Sequence, residues 1–163
     1  MITDIIVLFL FKMVLLTSAE KFFKGNLLNS DYVFIPINRS LHWFLVVLTP
    51  WHFLIMDSLT WDISIRQEEV HNINSFLDHL CATNGISTKT RQRTNHVLKV
   101  TYLTMWSNNC GFHLFMFVDH FLKEYESDPS GYVSAEHLWF SPQDVESKRT
   151  LTRNYLEALF VKE

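Results

Sequence analysis

Cysteine and glycine are scarce in this chain of 163 residues, which contains two cysteines and four glycines. Two cysteines cannot build the disulfide framework of a small secreted domain, and their scarcity favours a reducing compartment, the nucleus or the cytoplasm. The sequence also has no glycine-rich loop of the kind that holds nucleotide phosphates. A disulfide-rich scaffold is therefore excluded, and a nucleotide-binding enzyme is not supported.

Basic charge is lacking too, because 14 Lys and Arg face 17 Asp and Glu, for a net charge of -3. Nucleic-acid-binding surfaces need concentrated positive charge, so we predict no nucleic-acid partner. The chain has eight histidines but no HExxH motif and no zinc-type Cys/His spacing. His113, Asp119 and His120 share one predicted helix, yet surface or core histidines explain them equally well. We predict no metal and no cofactor.

Apolar residues make up 48% of the chain, but no apolar run reaches the ~20 residues that a membrane span needs. The N-terminal stretch IIVLFLFKMVLL (5–16) is interrupted by Lys12 and preceded by Asp4, where a secretory signal carries positive charge. Three interpretations stay open: a buried helix or strand, which we favour, a signal-like segment, or an anchor. We expect no membrane partner, and interpret residues 1–30 as a divergent apolar segment and residues 31–163 as one domain.

The apolar pattern beyond residue 30 predicts one α+β domain, with strands in the middle and helices around them. Pro36 is expected to close the first strand in a turn, and the short link at 49–51 should make the next two strands an antiparallel hairpin. The predicted strands are 31–38, 42–48, 52–57 and 95–103, and the predicted helices are 62–82, 110–125 and one from Ser141. The last helix is expected to bury a stripe of Leu151, Tyr155, Leu156 and Leu159.

Three chemically active residues stand at the edges of these elements. His42 begins one strand, Asp57 ends its neighbour, and Cys110 begins a helix. In an antiparallel hairpin the start of one strand lies beside the end of the next, so His42 and Asp57 should meet at one open end of the sheet. A helix N-terminus favours a thiolate at Cys110, an imidazole takes the thiol proton, and a carboxylate orients the imidazole. The arrangement predicts an acyl-transfer site.

Each of the three residues also has an interpretation without chemistry. A single Cys before an apolar helix is more often a core residue than a nucleophile. His42 can be a strand-edge histidine, and Asp57, which precedes Ser58, can be a turn or cap residue. Their joint placement favours catalysis. An open Cys110 beside His42 is expected of an enzyme, whereas a buried Cys110 would contradict the enzyme interpretations.

Four motifs in order resemble the SUMO-protease family, the cysteine peptidases that process and remove ubiquitin-like proteins. They are VFIPIN (33–38), HW (42–43), LIMDSL (54–59) and NNCGFHLFMF (108–117), and FSPQDVESKRTLTRNYL (140–156) resembles the family's final helix. The order His, Asp, Cys differs from papain-type enzymes, in which Cys comes first. The resemblance spans roughly residues 31–160. It implies a papain-like cysteine-protease architecture: a central mixed sheet, a nucleophile helix and surrounding helices.

The resemblance also implies an activity, the hydrolysis of peptide or isopeptide bonds after the Gly-Gly tail of a SUMO-like modifier or its conjugates. His42, Asp57 and Cys110 would be the catalytic triad. Trp43 would line a narrow channel for the tail, although core packing explains this residue equally well. Gly111 would let the substrate approach the backbone closely.

Three departures from the family pattern weaken the expected activity. Thr104 stands where the family carries an oxyanion-hole Gln, and losing one such donor costs about 10² to 10³ in rate. Asn109 replaces the usual Asp before the Cys, where we expect a small effect, and no Trp precedes Trp43 to cover the channel, which affects recognition of a ubiquitin-like protein more than the triad. Thr104 implies a slow enzyme, and the departures together imply an N-terminally truncated or divergent member.

Two other functions stay open. The first is a catalytically impaired relative, truncated or derived from a mobile element, that acts at most as a binding module; Thr104 favours it. The second is an acyltransferase with a similar His–acid–Cys site. Asp57 in place of Glu and the absence of an evident basic pocket argue against that function.

Overall fold

The computed structural model of this chain describes residues 5–7, 10–11, 30–49, 52–60, 62–86, 94–100, 109–125, 132, 136–137 and 139–160. The strands are β1 (Ile5–Val7), β2 (Leu10–Phe11), β3 (Tyr32–Arg39), β4 (His42–Leu48), β5 (His52–Met56), β6 (Thr94–Val100) and β7 (Glu136–His137). The helices are α1 (Gln67–Thr83), α2 (Cys110–Glu124) and α3 (Pro142–Phe160), and a short 3-10 helix (Ile63–Arg66) precedes α1.

The described strands form one mixed sheet in the spatial order β1-β3-β4-β5-β6-β7, and β2 also pairs with β3. β3, β4 and β5 are antiparallel neighbours, whereas β1, β2, β6 and β7 join by parallel pairing. The predicted hairpin of β4 and β5 is confirmed. So is the α+β class with a central mixed sheet and surrounding helices.

β4 and β5 are buried on both faces, as their continuous apolar runs predict. Alternate residues point to opposite sides of the sheet, where α2 covers one face and α1 the other. The α2 side contains Leu45, Val47, Leu54 and Met56 with Leu114, Phe117 and Phe121, and the α1 side contains Phe44, Val46, Phe53 and Ile55 with Val70, Ile73, Phe76 and Leu77. Burying each such side chain contributes about 1.5–3 kcal/mol, so both strands hold their ends firmly in place.

The prediction that Pro36 closes the first strand is wrong. β3 continues through Pro36, and the chain turns at Ser40 and Leu41. The described pairing of β3 with β1 ends at Phe34, and its pairing with β2 begins at Ile37. The N–H that proline lacks therefore falls between these two parallel ladders.

The predicted buried stripe of α3 is also wrong. Leu151, Tyr155, Leu156 and Leu159 are 47–67% exposed. Val145, in the first turns, is the buried residue among the described part of this helix. Helical periodicity correctly places the four side chains on one broad face, but among the described residues α3 is buried against the body of the protein in its first turns.

The N-terminal apolar stretch is partly described. Ile5–Val7 and Leu10–Phe11 are strands parallel to β3, whereas residues 12–29 lie outside the described residues. Among the helices that the structure describes, none is both long and apolar enough to cross a bilayer. The boundary between residues 1–30 and 31–163 stays a prediction.

Candidate active site

The structure brings His42 and Asp57 together at one end of the sheet. His42 is the first residue of β4, and Asp57 is one residue beyond Met56, which pairs with Leu45. Side chains two apart in a strand point the same way, so His42 shares a face with Phe44, and its ring stacks on Phe44 at 6.5 Å between centroids. His42 Nε2 lies 2.8 Å from Asp57 Oδ1.

Asp57 is buried, and both of its carboxylate oxygens accept hydrogen bonds. Oδ1 accepts from His42 Nε2 and from the Leu59 backbone N–H, both at 2.8 Å. Oδ2 accepts from Arg66 Nε at 2.8 Å and Nη2 at 2.6 Å. A carboxylate that meets only donors is held in its ionised form. Because His42 donates from Nε2, its Nδ1 carries the lone pair that can accept a proton.

The charge of Asp57 follows from competing physical effects. Burial is the largest single effect and would raise the pKa of this carboxyl, because a charge is poorly solvated in the protein interior. The hydrogen bonds from His42 and Leu59, together with the charge and hydrogen bonds of Arg66, outweigh burial and hold the pKa of Asp57 below its ordinary value. The carboxylate therefore stays charged at neutral pH.

Arg66 is the site residue that sequence reasoning missed. It ends the 3-10 helix, its side chain is 9% exposed, and its guanidinium lies 4.3 Å above the Phe44 ring. Its neighbour Ile65 is 53% exposed, so the charged residue is buried here and the aliphatic one is not. A buried Asp needs a partner, and an Arg within ten residues of it was the available sequence signal.

Cys110 begins α2 at the same end of the sheet. Its Sγ lies 4.0 Å from the carbonyl oxygen of Leu41, the residue before His42. Cys110 and His42 are each 8% exposed, so the thiol is buried, and the expectation that an enzyme holds Cys110 open to solvent is not met in this structure.

The structure says less about the roles of the remaining predicted site residues, Trp43, Gly111 and Thr104. Trp43 is half-buried and packs against the α2-side core. Gly111 is half-buried, and a Cβ added there would meet no described residue within 4 Å, so the packing that the structure describes does not require glycine. Thr104 lies outside the described residues.

The histidines of α2 have partners other than a metal. His113 is buried against Phe117 and Phe140, His120 stacks on Trp139, and Asp119 pairs with Lys123 at 2.6 Å. No group of three or more metal-binding side chains occurs within the described stretches.

The chain matches a family model described as the Ulp1 protease family, C-terminal catalytic domain, over residues 15–152. Three solved structures have similar folds. One is a de-sumoylating protease (23% identity, TM-score 0.60, 71% of this chain and 48% of that chain). The second is SUMO protease Ulp1 with its catalytic cysteine oxidised to a sulfenic acid (16% identity, TM-score 0.53, 79% of this chain and 52% of that chain). The third is the C-terminal Ulp1 protease domain in complex with Smt3, the yeast orthologue of SUMO (16% identity, TM-score 0.51, 79% of this chain and 52% of that chain).

These structural matches establish the fold, which is the papain-like cysteine-protease architecture implied by the motifs. The chain spans about half the length of the solved structures it matches. No curated protein sequence matches it significantly. The family model nevertheless covers most of the chain, from before β3 to the middle of α3. The motif resemblance is thus confirmed, and the chain belongs to the Ulp1 protease family, of which it carries the C-terminal catalytic domain.

Proposed function

We propose that this protein is a cysteine peptidase that hydrolyses peptide or isopeptide bonds after the Gly-Gly tail of a SUMO-like modifier. The observation that carries the proposal is the His42–Asp57 hydrogen bond of 2.8 Å, made by a fully hydrogen-bonded carboxylate at the end of the sheet where α2 begins with Cys110. A structural histidine would not need a buried, charged partner that is itself held by Arg66.

The chemistry follows from the protonation states of the proposed triad. His42 accepts the Cys110 proton at Nδ1, and Asp57 stabilises the resulting imidazolium through Nε2. The thiolate attacks the glycine carbonyl carbon, and the charge that develops on the carbonyl oxygen is stabilised by backbone N–H groups at the start of α2. The imidazolium then protonates the leaving amine, and water hydrolyses the thioester, which returns the thiol.

The preference for a Gly-Gly tail is supported by the recessed position of Cys110. Residues without side chains can reach a thiol that is 8% exposed more easily than any others. Among the described residues, the space beside Gly111 is open and can accept the backbone of such a tail. A SUMO-like modifier is supported by one of the similar structures, which holds Smt3.

A slow enzyme is proposed because of Thr104, which stands where an amide donor is expected. A catalytically impaired binding module is the second candidate, and both Thr104 and the burial of Cys110 favour it. The two functions predict different results with modifiers that carry an electrophile at the C-terminus.

The test is covalent labelling of the purified protein by SUMO-type and ubiquitin probes of this kind. We expect a SUMO-type probe to label the wild type and Thr104→Gln, the latter about 10²-fold faster, and not to label Cys110→Ala. Gly111→Ala should slow labelling while leaving the fold intact, because the free protein has room for the methyl group. No labelling of folded wild type or Thr104→Gln would move the conclusion to the impaired binding module.

A further inference from the structure

Asn109, the residue before Cys110, is held by side chains of two helices. Its carbonyl oxygen accepts hydrogen bonds from the His113 backbone N–H and from His113 Nδ1, both at 3.0 Å. Its side-chain Nδ2 donates to Glu146 Oε2 at 3.1 Å, and its Oδ1 accepts from Arg149 Nη1 at 3.4 Å. Glu146 and Arg149 also form an ion pair at 3.6 Å.

The bonds to the Asn109 carbonyl determine where the next N–H points. The peptide between Asn109 and Cys110 is planar and trans, so its C=O and N–H point in opposite directions. Fixing the carbonyl on His113 therefore fixes the direction of the Cys110 N–H. This N–H is one of the backbone donors that stabilise the oxyanion in the proposed reaction.

The Asn109 side chain is used unusually for its position. Asn at a helix N-cap ordinarily accepts a hydrogen bond from an N–H of the first turn. Here Asn109 is the N-cap of α2 but makes no such bond, because its amide is engaged by α3. The amide thus ties the nucleophile to α3 and does not occupy the first-turn N–H groups of α2.

His113 is poorly explained by packing alone. It is 1% exposed and lies against Phe117 and Phe140. A carbonyl can only accept, so His113 Nδ1 carries the proton, and Nε2 has no hydrogen-bond partner within the described residues. A phenylalanine would fill this volume without burying a bare nitrogen, so the bond to Asn109 is the contribution that histidine makes.

The charges around Asn109 match an amide and not a carboxylate. Glu146 requires a donor and Arg149 requires an acceptor, and Asn supplies one of each. An Asp at this position could still accept from Arg149, but it would place a second carboxylate against Glu146. The identity of residue 109 is therefore linked to that of residue 146.

We propose that Asn109, His113, Glu146 and Arg149 form a positioning clamp that fixes the Asn109–Cys110 peptide, so that the N–H and thiol of Cys110 are aimed at the reacting carbonyl. The clamp acts through Cys110 and does not touch substrate. The proposal rests on the proposed function in that Cys110 is the nucleophile.

The test is a double-mutant cycle of Asn109→Asp and Glu146→Gln. Two rates are measured: alkylation of Cys110 by iodoacetamide across pH, resolved by peptide mass spectrometry, and labelling by the SUMO-type electrophile. We expect Asn109→Asp to slow both rates about 10- to 100-fold and to move the alkylation profile to higher pH. Adding Glu146→Gln should restore both rates to within about threefold of wild type.

Two controls separate positioning from folding and from bulk charge. Glu157→Gln removes an exposed carboxylate of α3, the helix that also carries Glu146, and should not restore the rates lost in Asn109→Asp. His113→Phe should lower the maximal labelling rate about tenfold without changing the half-saturating probe concentration, with unfolding checked by circular dichroism.

Three results would overturn the clamp: wild-type rates in Asn109→Asp, no restoration by Glu146→Gln, or equal restoration by Glu157→Gln. Alkylation needs no substrate recognition, so absence of modifier labelling would contradict the proposed substrate and leave the clamp to be judged by alkylation. Wild-type alkylation of Cys110 no faster than that of buried Cys81 would overturn both proposals.

Discussion

Asp57 is the residue on which the candidate site depends most. Its two oxygens meet three donor residues, one from each of three neighbouring segments: His42, Leu59 and Arg66. A buried carboxylate contributes favourably only while such partners remain, because an unpaired buried charge is poorly solvated. Arg66 therefore stabilises the fold and orients His42 indirectly.

We expect Arg66→Met to destabilise the protein by about 3–5 kcal/mol, because it leaves one oxygen of the buried Asp57 carboxylate unpaired. Urea unfolding followed by tryptophan fluorescence measures the change. Arg66→Lys should lower the free energy of unfolding by less, because lysine keeps the positive charge but lacks the paired N–H donors of the guanidinium.

Arg153→Met provides the matched control for Arg66, because Arg153 is an exposed arginine of α3. It should change the free energy of unfolding by no more than about 0.5 kcal/mol. Equal effects of the two Met variants would contradict the role given to Arg66.

At the scale of elements, the turn between β3 and β4 is strained. Arg39 pairs with His42, so the loop contains two residues, and both have positive φ: 52° at Ser40 and 67° at Leu41. This conformation matches the twist of a hairpin but suits Asn and Gly far better than Ser and Leu. Leu41 is 93% exposed, so packing does not compensate for the strain.

We expect the double change Ser40→Asn and Leu41→Gly to stabilise the protein by roughly 1 kcal/mol, because both new residues accept positive φ. Thermal unfolding measures the gain. Leu41→Ala keeps the strain and removes only exposed surface, so it should leave the unfolding midpoint unchanged. A gain as large in Leu41→Ala would show that the turn backbone is not the cause.

At the scale of the whole molecule, acid sensitivity comes from two histidines in different parts of the fold. Burial lowers the pKa of His52, and the neighbouring His96 lowers it further. Burial also lowers the pKa of His113; its hydrogen bond to Asn109 opposes this shift and the neighbouring His42 adds to it, but burial prevails. The unfolded chain binds protons at the ordinary histidine pKa, whereas the folded chain resists protonation. Stability is therefore complete above roughly pH 6.5 and falls as the pH is lowered from there.

We expect the free energy of unfolding to fall between pH 7.5 and pH 5.5, by at most about 1.4 kcal/mol per pH unit for each histidine. Urea unfolding at several pH values gives the slope. His113→Phe should make the slope shallower, and His71→Gln, at an exposed position of α1, should leave it unchanged. A slope that His113→Phe does not alter would contradict this assignment. Asp57, with its lowered pKa, adds a second loss only below roughly pH 4.

The sequence by itself determined the strands β4 and β5, the start of β3, the start of α2, and the end of α1, which stops at Thr83 shortly before Gly85, whose φ is 68°. These features depend on local patterns: apolar runs, a short link and a glycine. The same local patterns brought His42 and Asp57 to one end of a hairpin, because pairing geometry follows from strand order.

Only the tertiary structure decided which side chains complete the site. The Asn109–Glu146 and Asn109–Arg149 contacts join residues 37 and 40 positions apart, and Arg66 reaches Asp57 over nine residues from the 3-10 helix; no periodicity reports such contacts. The exposed stripe of α3 has the same origin: periodicity defines a face, but burial of that face depends on what packs against it. Residue types and spacings thus set the chemistry available to this protein, and the packing of α1, α2 and α3 around the sheet set its geometry.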